Sequence, residues 1–105
     1  MKLLMGEVKD KDCIVVDDMI DTGGTIMKAM NELKNMGTKN IYVFVTHGLF
    51  NGDFYENFEK CKSINKLYTT NSLPAKNQEL ENKLGIERMN LKSILDEIIH
   101  KNFDI

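Results

Sequence analysis

The feature that most constrains this chain is an apolar run, Cys13-Ile14-Val15-Val16, that meets two adjacent carboxylates, Asp17 and Asp18. It then passes through Met19-Ile20 into the turn Asp21-Thr22-Gly23-Gly24-Thr25, and a helical pattern follows. A buried strand of this kind places Asp17 and Asp18 at its carboxyl end, where open α/β sheets bind ligands, and the turn after it offers backbone N–H groups to an anion. The stretch reads as a sugar-phosphate site.

The residue types fit that division of labour. Vicinal sugar hydroxyls donate hydrogen bonds and an ionised carboxylate only accepts them, so Asp17 and Asp18 suit a diol and the neighbourhood of a magnesium ion, but not a phosphate. Gly23 and Gly24 let the backbone come close to an anion, and Thr22 and Thr25 add hydroxyl donors at the first turn of a helix. The phosphate end is therefore residues 21–25. A purely structural β-to-α turn, with Asp21 or Thr22 as helix N-cap, is the competing reading. Two neighbouring carboxylates repel one another and gain little structurally, which favours the ligand site.

Around this segment, strand and helix patterns alternate. Residues 2–7 and 13–17 are apolar runs about a charged turn, predicted either to pair as a hairpin or to lie as neighbouring strands. Ile26, Met27, Met30, Leu33 and Met36 recur at helical spacing up to Gly37, a suitable residue just beyond a helix end, and the three methionines read as core filler. Residues 40–46 are a continuous β-prone run expected to be buried on both faces. Shorter strands are predicted at 66–70 and 86–90, a short helix within 53–63, and an amphipathic helix over 91–102 with Ile94, Leu95, Ile98 and Ile99 inward. Residues 76–79 read as a solvated loop or helix start. His47 ends a strand at the same edge as Asp17, either lining the site or satisfying a loop hydrogen bond, and residues 69–73 form a candidate pocket wall. His100 is expected to face solvent.

Composition narrows the class. The 105 residues are 42% hydrophobic and 29% charged, which fits one α/β unit or part of one. A net charge of −2 gives no basic footprint for nucleic acid. The apolar runs are too short to cross a bilayer and the N-terminus lacks a secretory core, so a cytoplasmic location without a membrane partner is expected. Cys13 and Cys61 lack metal-site spacing and are expected to be reduced.

The segment Val15-Val16-Asp17-Asp18-Met19-Ile20-Asp21-Thr22-Gly23-Gly24-Thr25 resembles the phosphoribosyl-diphosphate signature of ribose-phosphate diphosphokinases, the PRPP synthetases. Flanking stretches resemble the family in order: residues 5–11 its Gly-Asp-Val-Lys lead-in, Thr46-His47-Gly48 its Thr-His-Gly, and Thr69-Thr70-Asn71-Ser72-Leu73-Pro74 its Thr-Asn-Thr-Ile-Pro. The resemblance implies a parallel-sheet type I phosphoribosyltransferase fold, present as an incomplete C-terminal portion of the family's second domain. It also implies transfer of a diphosphoryl group from ATP to the C1 hydroxyl of ribose 5-phosphate, with Mg2+, giving PRPP. The family's ATP-binding domain and its mobile catalytic loop have no counterpart in residues 1–105, so ATP would be met through other parts of the protein.

Chemistry indicates the same division. Phosphoryl-type transfer depends on cations around the transferring group. The motif supplies none, the one arginine, Arg88, is distant in sequence, and there is no Walker-type loop. The chain is thus expected to bind ribose 5-phosphate or PRPP without catalysing alone. An open sheet edge predicts a homo-oligomer or a longer native protein. Two other readings stand beside this one: a nucleobase salvage phosphoribosyltransferase and a non-catalytic regulatory subunit of PRPP-synthetase type. Asp21 favours the first reading over salvage enzymes, many of which carry threonine there.

Overall fold

The computed structural model describes residues 2, 3, 9–90, 92, 93 and 96. A five-stranded sheet carries its strands in chain order: β1 (Lys2–Leu3), β2 (Asp12–Ile20), β3 (Asn40–Gly48), β4 (Lys66–Thr70) and β5 (Ile86–Met89). β1 runs antiparallel to β2, with Lys2 opposite Val16 and Leu3 opposite Val15, while β2 to β5 are mutually parallel. The two alternatives left open for the N-terminal run are thereby resolved in favour of an antiparallel pair.

Each parallel connection contains one helix: α1 (Gly24–Asn35), α2 (Phe54–Lys60) and α3 (Gln78–Leu84). Right-handed crossovers that always step to the next strand in the same direction bring their helices to one face of the sheet. The core lies between that face and the helices. Val15, Ile41, Val43, Val45, Leu67 and Ile86 from the strands meet Met27, Met30, Phe54 and Phe58 from α1 and α2. The residues alternating with them point the other way and are less covered: Ile14 is 46% exposed, and Tyr42, Phe44 and Tyr68 are half-buried. The expectation that residues 40–46 would be buried on both faces therefore fails at Asn40, Tyr42, Phe44 and Thr46. A continuous apolar run, read by itself, does not report which face is packed.

Other differences are local. β2 and β3 extend to Ile20 and Gly48, so Asp17 and Asp18 lie within β2 and not beyond its end. Met27 and Met30 are buried as expected, but Met36 is 62% exposed. It is the C-cap residue, and the chain leaves the helix there through Gly37 at φ +97° before the apolar stripe reaches it. α3 was legible only as a possible helix start; Asn77 caps it by accepting from the Leu80 N–H at 3.1 Å, and Gly85 closes it at φ +78°. Both cysteines are free. The predicted helix over 91–102, His100 and the lead-in at residues 5–8 lie outside the described residues, apart from helical positions 92, 93 and 96. No helix among the described residues is long and apolar enough to cross a membrane.

The one-sided core has a measurable consequence. Met30→Ala, at a fully buried position, should lower unfolding free energy in urea by about 2–5 kcal/mol, whereas Ile14→Ala on the less covered face should cost well below that range. Equal losses would contradict this packing.

Candidate functional site

The carboxyl end of β2 and the turn into α1 enclose an open cavity of about 200 Å³, lined by Asp17, Met19, Ile20, Asp21, Thr22, Gly23, Gly24, Thr25 and Ile26. The structure thus gathers six of the seven sequence-derived site residues, Asp17 together with residues 21–25, around one concavity. Asp18 is the exception. Adjacent strand residues point to opposite faces, so Asp18 is exposed and outside that lining, and its backbone N–H donates to Asp17 Oδ1 at 2.8 Å.

The turn is shaped by backbone conformation, not by side-chain capping. Gly23 is the N-cap of α1 at φ +82°, and no side chain caps the helix, so neither Asp21 nor Thr22 plays the structural role the competing reading assigned. The first-turn N–H groups of a helix carry partial positive charge and suit an anion. Thr22, Gly24 and Thr25 are exposed along this turn, whereas Gly23 is buried. Gly23 is also sterically required: a Cβ built there would lie 2.8 Å from Phe54 Cδ1.

Phe54 belongs to a second layer beneath the turn. Its ring stacks on Phe50 at 4.1 Å, with 12° between the planes, and on Phe58 at 5.7 Å. Phe50 in turn requires Gly48, where a Cβ would sit 2.5 Å from the ring. The loop after β3 is also tied to the turn by main-chain bonds: Leu49 N–H donates to Ile20 O at 2.9 Å and Asn51 N–H to Asp21 O at 3.0 Å.

The segments nominated around the pocket take supporting positions. His47 is half-buried, with Nδ1 2.9 Å from Ser72 Oγ, which matches the loop-hydrogen-bond alternative. The Thr70 hydroxyl donates to Thr46 O at 2.6 Å and accepts from Ser72 N–H at 3.2 Å. Residues 69–73 do not line the cavity; they join the end of β4 to the end of β3. Thr69 Oγ1 is buried and has no hydrogen-bond partner.

Sequence reasoning missed Glu81, and it missed the position of Arg88. Glu81 is fully buried in α3 and receives Arg88 Nε at 3.1 Å on Oε1 and Arg88 Nη2 at 2.9 Å on Oε2. The Tyr55 hydroxyl donates to Glu81 Oε2 at 2.6 Å. Burial, with the hydrogen bond and negative charge of Glu81 adding to it, pushes the Tyr55 hydroxyl up to about 12. A usable signal existed: Ile86 and Arg88 share a strand face, so an apolar partner already marked Arg88 as inward.

Two measurements check this geometry. Gly23→Ala should destabilise by more than about 1 kcal/mol because the left-handed conformation strains any Cβ. Adding Phe54→Ala should relieve the steric part, giving a double-mutant coupling of about 0.5–3 kcal/mol, whereas strict additivity would refute the contact. In an ultraviolet pH titration, Tyr55 should ionise near 12, and Tyr55→Phe should abolish that late phase. Because the folded value is raised, the stabilisation from Tyr55 is complete below the unfolded value near 10 and is lost as pH rises through about 12.

Comparison with known proteins agrees with this geometry. Residues 2–104 match the model of the phosphoribosyl synthetase-associated domain. The chain is 38% identical over 101 residues to a ribose-phosphate pyrophosphokinase of Clostridium perfringens, covering 96% of this chain and 31% of that protein. A Mycoplasma genitalium protein of the same name is 40% identical over 100 residues, covering 91% and 29%. The crystal structure of phosphoribosylpyrophosphate synthetase from Mycobacterium smegmatis superposes with a TM-score of 0.71 at 33% identity, covering 95% of this chain and 33% of that one. The chain therefore spans about a third of the length of the relatives it matches. With the signature turn folded at the end of a parallel strand and the family model matched along nearly its whole length, this chain belongs to the phosphoribosyl synthetase-associated, or ribose-phosphate pyrophosphokinase, family.

Proposed function

We propose that this chain forms the ribose-5-phosphate-binding part of a ribose-phosphate diphosphokinase, an enzyme that transfers diphosphate from ATP to the C1 hydroxyl of ribose 5-phosphate to make PRPP for nucleotide biosynthesis. The observation that carries the reading is the uncapped start of α1 at Gly23, which shares one cavity with the Asp17 carboxylate. In this reading the N–H groups of residues 21–25 and the hydroxyls of Thr22 and Thr25 hold the 5-phosphate. Asp17 accepts from a ribose hydroxyl, and Asp18 reaches the sugar from the outer rim.

Magnesium fits this donor set only as a shared ligand. Among the described residues no group of three or more His, Cys, Asp or Glu side chains forms a metal cluster. Mg2+ retains waters and takes one or two carboxylates together with substrate oxygens, so Asp17 or Asp18 would supply protein oxygens and the ion would add positive charge beside the diphosphate. ATP and the cations that stabilise its transfer would be contributed elsewhere in the protein, because Arg88 is committed to Glu81. A cytoplasmic homo-oligomer is part of the same proposal.

Calorimetric titration with ribose 5-phosphate, with and without Mg2+, tests the reading. Asp17→Asn/Asp18→Asn should abolish binding, and Thr25→Ala should weaken it by roughly the worth of one hydrogen bond to a charged group, about 1.5–3 kcal/mol. Unaltered affinity in these variants would remove the assignment.

A further inference from the structure

Arg88 and Asp17 occupy one cross-strand row: Asp17 is opposite Val45, Val45 opposite Thr69, and Thr69 opposite Arg88. Three steps between neighbouring strands separate their backbones by about 14 Å, and the guanidinium, 5% exposed and paired with Glu81, is committed beneath the surface and not presented to a ligand in the turn. It holds the chain at the carboxyl ends of β3 and β4, the first of which continues into the loop bonded to the turn. Nη1 donates to Leu73 O at 2.8 Å and to Thr70 O at 3.4 Å, and Nη2 reaches Gly48 O at 3.5 Å. Its Cζ lies 5.3 Å from the centroid of the Phe50 ring. Phe50 is a non-glycine residue at φ +53°, a conformation that persists only when its surroundings enforce it. The Phe50 ring stacks on Phe54, and Phe54 packs against the Gly23 backbone.

From this arrangement we infer that Arg88 is a positioning residue for the sugar-phosphate turn, acting through Phe50 and Phe54 and held in place by Glu81 and Tyr55. The side chains of Arg88 and Glu81 are 5% and 0% exposed, so the pair is fixed and neither group is available to solvent or substrate. Removing the guanidinium frees the carbonyls of Gly48, Thr70 and Leu73 from their donor and withdraws the cation that faces Phe50. The Phe50–Phe54 stack then loosens, and the turn above it loses the floor that holds its N–H groups in one orientation. The inference rests on the proposed sugar-phosphate reading for its ligand, but its mechanical claim does not.

The experiment compares the full-length wild-type protein with Arg88→Lys and with the double variant Glu81→Leu/Arg88→Met. Replacing a buried ion pair by apolar residues of similar size is often tolerated, so the double variant keeps the question open even where a single change fails to fold. Amide hydrogen exchange is measured without ligand, and binding is measured with ribose 5-phosphate and with unphosphorylated ribose. The expected result is at least tenfold faster exchange at residues 21–25 and 49–51 in the folded double variant, with exchange in β2 and β3 unchanged. Affinity for ribose 5-phosphate should fall about tenfold, equivalent to about 1.4 kcal/mol, while the weaker affinity for ribose is retained. Arg88→Lys should restore only part of the protection, since an ammonium cannot reproduce the planar fork. Wild-type exchange at residues 21–25 in the folded double variant would overturn the positioning role. Failure of the wild-type protein to bind ribose 5-phosphate, with faster exchange still seen in the variant, would instead overturn the ligand assignment and leave the mechanical coupling standing.

Discussion

An ion pair sealed from water at the carboxyl edge of the sheet organises this molecule. Burying a carboxylate and a guanidinium is costly, and the cost is offset only when geometry is good and the remaining donors find acceptors. Both conditions hold here: the Glu81–Arg88 contact is two-pronged, Tyr55 adds a third donor to the carboxylate, and the guanidinium reaches carbonyls at the ends of β3 and β4 and at Leu73 just beyond β4. One side chain on β5 thus fixes the carboxyl ends of its parallel neighbours. The aromatic stack extends that constraint across the helix layer to the turn after β2.

What was legible in the sequence follows from which forces leave a local pattern. Strands β2 to β5 and helix α1 are written in apolar runs and in the spacing of Ile26, Met27 and Met30, so their existence could be read and only their ends shifted. The signature turn was legible because backbone freedom at Gly23 and hydroxyls at Thr22 and Thr25 are properties of the residues themselves. α3 was nearly invisible for a physical reason. Its fully buried residue is Glu81, and a hydrophobic pattern cannot announce a buried charge whose partner lies in the next strand. Met36 failed in the opposite sense: its spacing was correct, but the helix ended one residue too early to bury it.

The two adjacent aspartates show a further limit of linear reading. Adjacency in sequence suggested a joint grip on one diol, yet strand β2 continues through both positions, so the pleat separates them by face. Asp17 lies in the cavity and accepts the Asp18 backbone N–H, which orients its carboxylate. Under the proposed reading the two groups approach the ribose from different sides. That arrangement lessens the repulsion which two carboxylates on one face would suffer, and it leaves the outer one exposed to solvent.

Under the proposed reading, the position of the one arginine bears on binding and chemistry differently. An anion in the turn needs N–H groups, hydroxyls and a helix terminus, all supplied between Asp21 and Ile26. Stabilising the charge that spreads in a diphosphoryl transfer needs mobile or metal-bound cations close to the reacting oxygens. The one arginine cannot provide this, because its charge is spent on Glu81 and its remaining donors on main-chain carbonyls. Releasing it would dismantle the floor beneath the turn. Under the proposed reading, a guanidinium that holds the binding site in shape is thereby excluded from acting in it, and the charge of the transfer would be met by other groups.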